Sequence, residues 1–258
     1  MPKIDLRVPS LHYELTGNPA NPVLVLSHSL GTNLSMWEPQ REALEQHFYL
    51  LRYDMRGHGL SDVPPGPYSM DQCGGDVVAL LDALKIDQVN FCGLSVGGMI
   101  GQWLGIHAPT RLRKLMLCNT AAKIGTEETW KKRIYEVQTD GLASIADRVL
   151  QGWFTADFLQ SGAPVVAAMR EMLVTSPPDG YIATSAAIRD VDLRTQVSSI
   201  QTPTCILAGL FDPSTTLADA HFLEAQIAGS QVVTLPTAHI SSAQAPAEFN
   251  SALLDFFL

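Results

Sequence analysis

With 258 residues, the chain is long enough for one large α/β domain, or for a core domain carrying an insertion. A hydrophobic fraction of 46% against 17% charged residues supports a substantial buried core and excludes a disordered or low-complexity chain. Seventeen Lys and Arg against 26 Asp and Glu leave a formal charge of −9, which repels nucleic acid and anionic membranes and removes both from the expected partners.

The first nine residues, Met1 to Pro9, lack the apolar core of a signal peptide. No stretch approaches the roughly 18 apolar residues of a membrane span, so a cytoplasmic protein is expected. Strands are predicted at 3–8, 11–15, 23–27, 48–54, 88–92, 112–119, 204–208 and 231–235. Several are continuous apolar runs, Val23-Leu24-Val25-Leu26 most clearly, as suits parallel strands covered on both faces. Helical segments such as 71–84 and 96–107 lie between them. The alternation predicts a mostly parallel eight-stranded sheet with helices on both faces, its first two strands forming a hairpin.

Between 120 and 199 the alternation stops. Trp130, Ile134 and Val137 fall on one stripe of a helix at 126–139, and Leu142, Ile145, Ala146 and Val149 repeat the pattern over 142–150. The expected architecture is an α/β core of residues 1–119 and 200–258, with a helical cap of 120–199 inserted after the sixth strand. Cys73, Cys92, Cys118 and Cys205 show no C-x-x-C spacing, and they read as free core thiols.

Gly93-Leu94-Ser95-Val96-Gly97 is a weak pattern alone, since a Gly-rich β–α turn can carry an incidental serine. Its setting is more specific. It follows a predicted strand directly and opens a helix of small residues, the strand–turn–helix context of a nucleophile elbow. A serine hydroxyl needs a base, and the base needs an orienting acid, in the chain order Ser, acid, His. Asp212 leaves the strand 204–208 and His239 leaves the strand 231–235, both at the carboxyl edge where open α/β sheets bind ligands. Asp219 and Glu224 fall in the following helix and are weaker acids. His12, His47, His107 and His221 lie at edges or in helices. His58 precedes the nucleophile, and its loop reads as structural, with Asp54, Arg56 and Asp62 in local polar contacts. The two oxyanion donors expected are the backbone N–H groups of Val96 and Leu30, with His28 and Ser29 shaping the loop after strand 23–27.

Six blocks carry a resemblance: Ser27-His28-Ser29-Leu30-Gly31-Thr32-Asn33-Leu34-Ser35-Met36-Trp37, Asp54-Met55-Arg56-Gly57-His58-Gly59-Leu60-Ser61, Gly93-Leu94-Ser95-Val96-Gly97-Gly98, Asp190-Val191-Asp192-Leu193-Arg194, Ala208-Gly209-Leu210-Phe211-Asp212-Pro213 and Ala238-His239-Ile240-Ser241. Together they make the chain similar to the 3-oxoadipate enol-lactonases of the α/β-hydrolase fold, with the cap matching only loosely. The resemblance implies hydrolysis of 3-oxoadipate enol-lactone within bacterial breakdown of aromatic compounds, by a triad of Ser95, Asp212 and His239 and without metal or cofactor. Ser29 departs from the glycine found there in many relatives outside this family.

Such a substrate carries a carboxylate, so a net acidic protein needs a local cation. At about 100° per residue Arg133 borders the apolar stripe of the first cap helix, whereas Lys132 lies almost opposite. Arg133 is the candidate for the carboxylate, with snorkelling at the cap boundary as the alternative, and Trp130 and Trp153 are candidate pocket walls. A broad carboxylesterase and a non-catalytic small-molecule receptor are the rival readings. A haloalkane dehalogenase is disfavoured, because that chemistry needs a carboxylate at position 95. Oligomeric state is not legible.

Overall fold

The computed structural model describes residues 9–258. The strand expected at 3–8, and the hairpin it was to form, lie outside the described residues. Among those described, seven strands rather than eight form one sheet in the order β1-β3-β2-β4-β5-β6-β7. They are β1 Tyr13–Thr16, β2 Val23–Ser27, β3 Tyr49–Tyr53, β4 Val89–Leu94, β5 Leu112–Cys118, β6 Thr204–Gly209 and β7 Gln231–Leu235. All neighbours run parallel except β1, which pairs antiparallel with β3. The apolar runs behave as their composition demands: Leu24, Val25, Leu26, Phe91, Cys92, Leu115 and Leu117 are fully buried.

Helices α1 Glu38–Glu45, α2 Met70–Ala83 and α3 Val96–His107 precede β5. Then five helices follow without a strand: α4 Glu127–Asp140, α5 Ala146–Trp153, α6 Ala156–Gln160, α7 Pro164–Thr175 and α8 Pro178–Asp190. The chain returns to the sheet at β6, and α9 Leu217–Gln226, α10 Ser241–Gln244 and α11 Pro246–Phe257 complete it. Thr126 starts α4 by accepting the Thr129 N–H on its hydroxyl, a capping box just ahead of the predicted stripe. The run at 142–150 is not one helix. Gly141, at φ 76°, ends α4, Leu142–Ser144 form a 3-10 turn, and α5 begins at Ala146. The apolar spacing survives this break because a 3-10 turn aligns residues three apart, so Leu142 and Ile145 are both buried.

The four cysteines are free and buried, with the Cys92 and Cys118 sulfurs 3.7 Å apart on neighbouring strands. Among the described residues no helix is long and apolar enough to cross a membrane.

Candidate active site

Ser95 follows the last residue of β4 and precedes the first of α3, at φ 61° and ψ −118°. That conformation costs a non-glycine residue roughly 1–3 kcal/mol, so its surroundings must impose it. Its N–H donates to the Cys118 carbonyl (3.0 Å), and its own carbonyl accepts the Thr120 hydroxyl (2.7 Å). Both peptides around the serine are thereby tied to the end of β5. The turn closes only because Gly97 has no side chain: a Cβ there would lie 2.2 Å from the Ser27 carbonyl oxygen. Val96 is the first residue of α3, directly after Ser95, so its N–H has no intrahelical acceptor.

Asp212 and His239 reach the same edge from the ends of β6 and β7. The His239 Nδ1–H donates to Asp212 Oδ2 at 2.7 Å, with both side chains buried. A carboxylate only accepts, so the proton sits on Nδ1 and the Nε2 lone pair is left for a hydroxyl. Asp212 Oδ2 also accepts from the Thr215 hydroxyl (2.6 Å) and Asn119 Nδ2 (3.1 Å), while Oδ1 accepts the N–H of Ser214 (2.8 Å) and Thr215 (3.1 Å). Burial alone would raise this carboxyl, but the charge and hydrogen bond of His239, with those from Thr215 and Ser214, hold it down at about 2. The acid is ionised throughout the neutral range.

The loop after β2 presents the second expected donor. The Ser29 carbonyl accepts three hydrogen bonds, from His28 Nδ1 (2.8 Å), the Thr32 hydroxyl (2.8 Å) and the Thr32 N–H (3.2 Å). A trans peptide points its C=O and N–H in opposite directions, so anchoring that carbonyl fixes the N–H of Leu30 on the other side. His28 Nε2 accepts the Met55 N–H (3.0 Å), and His58 Nε2 accepts the Gly31 N–H (3.2 Å). Burial lowers the pKa of both imidazoles, His58 to about 3, which keeps them neutral acceptors. The loop at 54–62 therefore reaches further than local contacts. His58 braces the loop after β2, Asp54 accepts the N–H of Leu34 (2.7 Å) and Leu60 (2.9 Å), and Arg56 pairs with Asp76 of α2. Asp62 accepts the Ser10 N–H.

A cavity of about 320 Å³ is lined by Ser95, His239 and Leu30 on the core side and by Trp130, Arg133 and Trp153 on the other. Of the candidate site residues only Asp212, which contacts the cavity through His239, and Val96, at the start of α3, do not line it. The Arg133 guanidinium sits 5.4 Å from the Trp130 ring centroid and, among the described residues, has no carboxylate partner. Trp130 spends its indole N–H on the Ile124 carbonyl (2.7 Å), and the Trp153 carbonyl accepts the N–H of Ile240, next to His239. Both are buried walls that also hold neighbouring backbone.

Comparison with known proteins gives the family. The profile described as the alpha/beta hydrolase fold matches residues 22–246. The chain is 41% identical over 244 residues to 3-oxoadipate enol-lactonase 2 of Acinetobacter baylyi, covering 95% of this chain and 91% of that protein. It is 35% identical over 240 residues to 3-oxoadipate enol-lactonase 1 of the same organism, covering 93% and 90%. The crystal structure of the enol-lactonase from Burkholderia xenovorans LB400 superposes with a TM-score of 0.95 at 42% identity over 99% of both chains. The chain belongs to the 3-oxoadipate enol-lactonase family of α/β hydrolases. Members are carboxylic ester hydrolases, and so is this protein.

Within this family member, sequence reasoning missed Asn119, Thr215 and Tyr181. Asn119 had a signal, since it leaves β5 at the edge where Asp212 and His239 leave β6 and β7. It joins the three loops, donating to Asp212 and to the Ala238 carbonyl (3.2 Å) and accepting the Ser241 hydroxyl (2.5 Å). Tyr181 had none, because the sequence did not separate α8 from the rest of the cap.

Proposed function

We propose that this protein hydrolyses 3-oxoadipate enol-lactone to 3-oxoadipate through an acyl-enzyme on Ser95. The observation that carries the reading is Arg133, a cation that has no carboxylate partner among the described residues and stands in the wall of the cavity that Ser95 and His239 share. In a chain of net charge −9, such a group favours a small substrate bearing one carboxylate over a neutral ester. The names of the relatives agree with it. Residues 120–199 serve as the cap that contributes Arg133, and 1–119 with 200–258 serve as the core that contributes the reacting groups.

In the first half-reaction His239 Nε2 takes the Ser95 proton as the oxygen bonds to the lactone carbonyl carbon. The carbonyl electrons move onto its oxygen, where the N–H groups of Leu30 and Val96 stabilise them. Collapse breaks the acyl–oxygen bond and expels the enolate, which takes up the proton that His239 holds and becomes the ketone, leaving His239 neutral. In the second half-reaction His239 deprotonates water, which attacks the acyl carbon and returns the proton and the serine. Asp212 holds the ring in the required tautomer and stabilises its charged form.

The test is turnover of the enol-lactone against 4-nitrophenyl acetate. The expected result is a kcat on the lactone near or above about 10 per second, a kcat/KM at least tenfold above that on the acetate, and loss of both in Ser95→Ala. A preference for the acetate would make the protein a general esterase, and turnover of neither would make it a receptor.

A further inference from the structure

Tyr181 is the cavity residue with the least evident reason to be there. It is 1% exposed yet lines the same cavity as Arg133 and Ser95, and it is the one tyrosine on α8. Its hydroxyl lies beside the Arg133 guanidinium, whose charge opposes the upward shift that burial imposes on the phenol. The phenol is protonated at neutral pH. With its oxygen turned to the guanidinium, its own O–H remains a donor.

The ring has a second neighbour. A Cβ at Gly31 would lie 3.0 Å from Tyr181 Cε2, so the ring packs on the backbone that follows the Leu30 donor. The adjacent Gly180 brings α8 into contact with the Gly57 backbone, where a Cβ would fall 1.9 Å from the carbonyl oxygen. Tyr181 is thus seated between the cation and the oxyanion loop, on a helix pressed against the core.

We propose that Tyr181 is a specificity-determining residue, its hydroxyl donating a second hydrogen bond to the substrate carboxylate that Arg133 binds while its ring holds the Gly31 turn. This rests on the reading of the cavity as a site for an anionic lactone. A carboxylate oxygen accepts the Tyr181 O–H, the guanidinium satisfies the remaining lone pairs, and no proton is exchanged.

Tyr181→Phe separates the two roles, because it keeps the ring on Gly31 and removes only the hydroxyl. Steady-state kinetics on the enol-lactone and on its neutral methyl ester give the readout. The expected result is a KM for the acid raised on the order of tenfold, the effect of one hydrogen bond to a charged group, with kcat changed far less and the ester KM changed at least fivefold less than the acid KM. Equal changes for acid and ester, or an unchanged KM for the acid, overturn the proposal. Adipate, competing with 4-nitrophenyl acetate, tests Tyr181 separately from the function. An inhibition constant that Tyr181→Phe raises about tenfold supports it even if the wild type leaves the lactone untouched. An inhibition constant that does not move overturns it.

Discussion

Nδ1 of His239 lies 2.7 Å from Oδ2 of Asp212, and that same carboxylate oxygen is also held by Thr215 and Asn119. The acid is thereby fixed by groups from the ends of β5 and β6 before it meets the base. Such an arrangement fixes ring orientation and tautomer together, which is what the proposed proton transfer from Ser95 requires.

Replacing Asp212 with Asn tests that relationship. The amide keeps the shape but can donate to Nδ1, which moves the ring proton to Nε2 and blocks it as a base. The expected outcome is a fall in kcat of about 10³–10⁴-fold at neutral pH, with the near-ultraviolet circular dichroism unchanged. A fall below about tenfold would remove Asp212 from the triad.

His58 and His28 link stability to pH. Each has a folded pKa below its ordinary value, so the unfolded chain binds the proton first, at about 6.5. Their contribution is fully present above that pH and is lost as pH falls from about 6.5 toward about 3 for His58. Between pH 7 and pH 4.5 the melting temperature is expected to drop by about 5–10 °C. The Asp212 carboxylate, held at about 2, contributes its own loss only below about pH 4, outside this window. His58→Gln retains an acceptor for the Gly31 N–H without a titrating proton, so its melting curve should flatten with pH. Parallel profiles for wild type and variant would contradict the assignment.

The elbow makes a steric prediction with an internal control. Gly97→Ala sets a Cβ 2.2 Å from the Ser27 carbonyl oxygen, a backbone atom that cannot swing aside. It should destabilise the fold by about 3 kcal/mol or more. Gly75→Ala, on α2 with nothing within 4 Å of the added Cβ, should instead stabilise by about 0.5–1 kcal/mol. Urea denaturation of both variants reads out the difference.

Most of the core and the positions of the three candidate triad residues were legible because their signals are local. An apolar run names a buried strand, and the residues just beyond its end arrive at the carboxyl edge whatever the rest of the chain does. Val96–His107 appears at its predicted bounds for that reason. The cap was less legible, since its helices are defined by how they pack on one another. The run at 142–150 kept helical spacing across a 3-10 turn, and Tyr181 earned its place only by the approach of α8 to Gly57 and Gly31. Nothing in the sequence announces that the His58 ring reaches beyond local contacts to the loop after β2. Arg133 is legible from the cap stripe because a lone helix still tells its buried side from its exposed one.

If the site selects a carboxylate-bearing lactone as proposed, Arg133→Ala must remove that selection. Steady-state kinetics should compare the enol-lactone with its neutral methyl ester. The KM for the acid should rise about 10–100-fold, as expected for losing a charge-assisted pair, with the ester affected only a few-fold. Equal effects on acid and ester would contradict it.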